Sequence, residues 1–144
     1  MSLWNPYAFT PTGRAMAPVA PPALRVIDGQ ATAQQLAHIH RILDDEQFQL
    51  ELVHPAMKAM LESAPAYDKD PNGTGPFGFT ETNPIPVNGP IGQLAYLSRL
   101  ETQSGQRILF HRLGAIGTVD VFEAVSFNGA EWFILFVDLY HPRR

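Results

Sequence analysis

Apolar side chains are densest near the C-terminal end of the chain. Thr118–Phe127 and Glu131–Tyr140 are rich in Val, Phe, Ile and Leu, and each reads as a strand. Asn128-Gly129 separates them and is the strongest short-range hairpin signal. Gln106–Leu113 and Leu94–Leu100 read as two further strands. Upstream the period changes. Leu36, Ile39 and Leu43 recur at i, i+3 and i+7 with His40 on the same face, which predicts a helix over 33–43. Thr32 and Gln35 stand at capping-box spacing just before it. Asp44-Asp45-Glu46 puts three carboxylates at the next helix start, where the macrodipole favours them. Phe48–Val53 fits either period and is read as helical. Pro55 suits a first helical position, so a third helix runs to about Ser63 with Met57, Met60 and Leu61 toward a core.

Proline sets the divisions. Five of thirteen prolines lie in 1–22 and six in 65–90, so both stretches are expected to be irregular. Residues 1–22 read as an extended arm whose Trp4, Tyr7 and Phe9 either fold back or dock on a neighbour. Residues 23–144 read as a single domain carrying a long Pro/Gly-rich loop at 64–92. The fold class is α+β, with two to three N-terminal helices packed on a C-terminal antiparallel β-meander of three to four strands.

A turn at Asn128-Gly129 fixes the register of the last hairpin. Val125 then faces Trp132, Glu123 faces Ile134, Val121 faces Phe136 and Val119 faces Asp138. On the reverse face Phe122 meets Leu135 and Ala124 meets Phe133. Both faces are apolar, so both need cover. The helices supply one cover. The 64–92 loop, the arm or a second subunit must supply the other, and this is the reason to expect a homo-oligomer.

The same register isolates candidate chemistry. Glu123 falls among valines and phenylalanines, where a carboxylate needs a partner. If Gly114–Gly117 forms a four-residue turn, Arg112 lies beside Val119 within reach of Asp138, and His111 lies opposite Asp120. Glu123, His111, Asp120 and Arg112 are therefore the candidate catalytic residues, as a carboxylate in a pocket and an oriented imidazole. No G-x-S-x-G or other marked nucleophile accompanies them.

Composition narrows the classes. The chain has 144 residues and no cysteine, which removes disulfides, thiol catalysis and thiolate metal sites. A net charge of −4 offers no basic surplus for a phosphate backbone, so no nucleic-acid partner is expected. The longest apolar run, Trp132–Val137, is far short of the roughly 18–20 residues that span a bilayer. No signal-peptide pattern opens the chain, and a cytoplasmic location with no membrane partner is expected. Asp68, Asp70 and Asn72 match the opening of a calcium loop, but Phe79 stands where its closing Glu belongs. Gly73–Gly78 matches G-x-G-x-x-G without the strand and helix that give it meaning. The end, His141–Arg144, reads as a solvated tail.

The expected function is a small binding or interaction protein, self-associating, with a possible protein partner and with no cofactor or chemistry of its own. The alternative is a small-molecule-binding protein or enzyme with its site between the 64–92 loop and the sheet.

Overall fold

Three helices open the part of the chain that the computed structural model describes, residues 32–143. The arm expected over 1–22 lies outside the described residues. Helix α1 spans Ala33–Asp44, α2 Glu46–Glu51 and α3 Pro55–Ser63. Their starts follow from local chemistry. Asp45 caps α2 by accepting the Phe48 N–H at 3.0 Å. His54 Nδ1 accepts the Ala56 N–H at 3.2 Å, and Pro55 occupies the first turn of α3. Buried Gln49 reaches back from α2 to donate to the Ile42 carbonyl at 2.8 Å, satisfying the end of α1.

The segment expected as a strand over Leu94–Leu100 is instead helical. Helix α4 runs Gly89–Arg99 with Pro90 in its first turn. Gly89 makes that start possible. Its φ is +69°, and a Cβ there would stand 3.1 Å from Val53 Cγ2. One turn on, Gly92 lets α4 meet α2 closely, because a Cβ would fall 3.3 Å from Gln49 Oε1.

The sheet has four strands in the order β1-β4-β3-β2. β1 is only Ile85–Pro86 and runs parallel to β4, while β2, Ile108–Ile116, β3, Val119–Ser126, and β4, Trp132–Asp138, form the antiparallel meander. The expected 64–92 loop thus ends early, giving its last residues to a strand and a helix start. From Asn83 to Gly89 the chain is continuously buried. The Val87 N–H donates to the Asp138 carbonyl and the Phe136 N–H to the Gly78 carbonyl, each at 2.9 Å, so this stretch lines the edge of β4.

The β3–β4 register is the one the sequence predicts, from Val119 opposite Asp138 to Val125 opposite Trp132. Its turn differs in kind. Gly129 alone takes positive φ, +74°, while Asn128 stays at negative φ and uses its Oδ1 to accept the Ala130 N–H at 3.1 Å and the Ser126 hydroxyl at 2.7 Å. The β2–β3 register departs from expectation. Ile116 pairs with Val119 across a two-residue turn, in which Gly117 supplies the positive φ of +61°. A bulge between Arg112 and Gly114 then leaves Leu113 unpaired. His111 consequently faces Glu123, and Arg112 faces Phe122.

Burial along β3 alternates strictly, with Asp120, Phe122, Ala124 and Ser126 buried and the four residues between them only half-buried. The buried face joins Ile85, Val87, Leu97, Phe122, Leu135 and Val137 in the core. Each such side chain contributes about 1.5–3 kcal/mol by leaving water. Helix α4 and the 76–88 stretch therefore cover one face of the sheet. The loop that was a candidate cover for the second face lies on the first.

Candidate functional site

Two features could engage another molecule, and they lie on opposite sides of the sheet. On the covered side, a cavity of about 540 Å³ opens between the 77–79 turn, the end of α4 and the sheet. Phe77, Phe79, Tyr96 and Phe133 give it aromatic walls, and Ile85 and Leu135 form part of its floor. Glu101, Thr102, Gln103 and Glu131 are its polar groups. Gly78, at φ +79°, brings the turn close to Ile85, 3.0 Å from where a Cβ would stand. Phe79 and Phe133 approach with ring centroids 6.3 Å apart. Burial pushes the Tyr96 phenol above its ordinary value, with the Arg143 guanidinium pulling it back.

The other face presents Leu109, His111 and Ile116 from β2, Val119, Val121, Glu123 and Val125 from β3, and Trp132, Ile134 and Phe136 from β4. Within it a shallower depression of about 290 Å³ lies around His111, Glu123 and Trp132. Glu123 is satisfied here from two sides. His111 Nε2 stands 2.7 Å from Oε1, and the Trp132 indole N–H donates to Oε2 at 2.9 Å. These bonds, His111 first, hold the carboxyl below its ordinary value. An imidazole oriented by a carboxylate is half of a general-base arrangement. The other half is missing, because no Ser, Thr or Tyr is among the described residues lining the depression.

The four candidate catalytic residues separate into two pairs. His111 and Glu123 share the open face. Arg112 and Asp120 share the covered face, with Arg112 Nη2 donating to Asp120 Oδ1 at 3.2 Å. Buried Asp120 also accepts from the Gln93 side chain of α4 at 3.0 Å, which fastens that helix to the sheet. The expected neighbours, Arg112 with Asp138 and His111 with Asp120, are overturned by the bulge and the shorter turn. None of the four lines the larger cavity.

The calcium-like segment forms a local turn. Asp70 Oδ1 accepts the Asn72 N–H at 2.8 Å, and Asp68 Oδ1 lies 3.9 Å from Arg143 Nη2. Among the described residues no group of three or more His, Asp or Glu converges as a metal site. No helix among them is long and apolar enough to cross a membrane.

Sequence reasoning missed the network around Arg143. Over its described residues, 141–143, the expected solvated tail is docked through Arg143. Arg143 pairs with Glu46 at 3.5 Å, donates to the Pro86 carbonyl at 3.0 Å, and lies 5.0 Å above the Tyr96 ring. Its backbone N–H donates to Asn88 Oδ1 at 2.9 Å, while Asn88 Nδ2 donates to Glu46 Oε2 at 3.0 Å. Burial pushes Glu46 above its ordinary value, opposed by Arg143 and Arg99. A basic tail gives no sign of its acceptors, which are scattered from 46 to 88 in the sequence.

No protein-family model, curated protein or solved structure shows significant similarity to this chain.

Proposed function

We propose that this is a cytoplasmic binding protein that self-associates through the open face of its sheet and performs no chemistry of its own. One observation carries the reading. Leu109 is 59% exposed, Trp132 61% and Phe127 62%, with Ile116 and Leu113 at 52%, on or beside a face whose remaining valines, Ile134 and Phe136 are only half-buried. The five exposed side chains alone present on the order of 500 Å² of apolar surface, a patch of the size that marks interaction sites. With the half-buried row it approaches the roughly 800 Å² that each partner contributes to a standard interface.

A second copy fits this face for a physical reason. Its central carboxylate is already engaged by His111 and the Trp132 indole, so covering it with a second apolar face leaves no unpaired carboxylate. Two such faces packed about 10 Å apart would make a sandwich, and each sheet would then be covered on both sides. The separation of His111–Glu123 from Arg112–Asp120 supports a binding role over a catalytic one.

Sedimentation velocity at micromolar concentration tests the reading. Wild type is expected to sediment as a dimer, and Leu109→Glu as a monomer with an unchanged circular dichroism spectrum. A monomeric wild type would overturn it.

A further inference from the structure

We propose that the cavity beneath the 77–79 turn is a binding site for a hydrophobic amine, a small molecule with an apolar body and one cationic nitrogen. The inference is independent of self-association, because the cavity and the proposed interface lie on opposite faces of the sheet.

Size and lining come first. A volume of about 540 Å³ falls in the range of small-molecule sites, roughly 300–1,000 Å³. The walls are dominated by aromatic rings and branched aliphatic side chains, which favour an apolar body. Phe79 is 51% exposed, yet the turn that carries it is fixed. The Gly78 N–H donates to the Asn83 carbonyl at 2.8 Å, and Asn83 Nδ2 donates to the Gly75 carbonyl at 2.8 Å. These hydrogen bonds hold the turn that places Phe79 in the cavity lining.

Charge then selects the ligand's head. Glu101 and Glu131 both line the cavity. Glu101 is neutralised by Arg107, whose Nη2 lies 3.2 Å away. The same guanidinium also donates to the Arg99 carbonyl at 2.7 Å, so it satisfies the end of α4 as well. Glu131 has no cation within ion-pair distance among the described residues. Lys69 already lies over the Phe77 ring and Arg143 over the Tyr96 ring, which leaves Phe79 and Phe133 as the aromatic walls without a cation among the described residues. With the exposed Glu131 carboxylate on the same cavity, they favour an ammonium group by charge and by cation–π contact over a carboxylate.

Three probes of matched shape test this: 4-(1-naphthyl)butylamine, the corresponding alcohol and the corresponding carboxylic acid, each titrated into full-length protein by calorimetry. The amine is expected to bind several-fold tighter than the alcohol and roughly tenfold tighter than the acid, a gap that narrows in high salt. Glu131→Gln should bring amine and acid to within about threefold of each other and leave the alcohol unchanged. Phe79→Ala, at a half-exposed position that does not threaten folding, should weaken all three. The Leu109→Glu monomer should bind the amine as wild type does, which separates this test from that of self-association. No binding of any probe at millimolar concentration, equal affinity across the series, or a charge preference untouched by Glu131→Gln would overturn the proposal.

Discussion

His111 and Glu123 face each other directly across β2 and β3, with Nε2 2.7 Å from Oε1, on the face of the sheet that the described helices leave open. The pair explains how a carboxylate sits within an apolar row. Half-exposed, it keeps water on one side and takes two donors on the other. The residue is a satisfied polar element in an otherwise apolar row.

That arrangement has a pH signature. Glu123 is held below its ordinary value of 4.5, first by His111 and then by Trp132. A carboxylate held low in the folded state adds stability that is present above 4.5 and is lost as pH falls through the folded value. Wild type should therefore exceed Glu123→Gln in urea midpoint at neutral pH, and the two should converge in acid below 4.5. A gap that persists unchanged into acid would show that the carboxylate's charge is not what matters.

Gly89 should tolerate no side chain. Alanine there would hold φ at +69° and press its methyl against Val53, so Gly89→Ala should cost about 1–3 kcal/mol by chemical denaturation. Gly105 shares the positive φ, +81°, but has open space around it, so Gly105→Ala should cost less. Equal losses would mean that backbone strain alone decides both.

Arg143 should behave as a structural residue. Arg143→Ala removes its pairing with Glu46 and its cover of Tyr96, and should cost about 1–3 kcal/mol. Arg143→Lys should recover only part of this, because an ammonium group cannot reach Glu46, Asp68 and the Pro86 carbonyl at once. Thermal or urea unfolding of the two variants checks the order.

Calcium should have no effect. Asp70 is engaged by its own turn and Asp68 faces Arg143, so millimolar calcium should leave the melting temperature within about 1 °C. A clear rise that disappears in Asp70→Ala would establish a site.

Locally encoded features were legible in the sequence. His54 and Pro55 announce α3 because a helix start is settled within a few residues. The β3–β4 register follows from one short connection and two strongly apolar strands. The β2 register was not legible, because a bulge at Leu113 and a turn of two residues depend on how the strands meet. Helix α4 was hidden by composition. Its Asn88-Gly89-Pro90 start resembles the loop before it, and Leu94–Leu100 is apolar enough to pass for a strand. β1 has two residues, one of them proline, and owes its place to the edge of β4. Of the candidate site, Glu123's need for partners was evident from its apolar row, but their identity turned on that bulge. The cavity draws on 77–79, 100–103 and 131–135, and no local pattern joins those segments.

The bond between Asn88 and the Arg143 amide joins groups 55 residues apart, and it bears on how the chain is made. During synthesis the buried run from Asn83 to Gly89 leaves the ribosome well before β4 and the residues after it. Until they arrive, Ile85 and Val87 lack a strand to lie against, and Asn88 lacks one of its partners. The native packing of this run must therefore wait for β4 and Arg143, and until then the nascent intermediate carries an apolar segment with no shelter of its own. The spacing of prolines in 84–90 suits that interval, since a segment that cannot readily form a ladder is a poor template for aggregation while it waits.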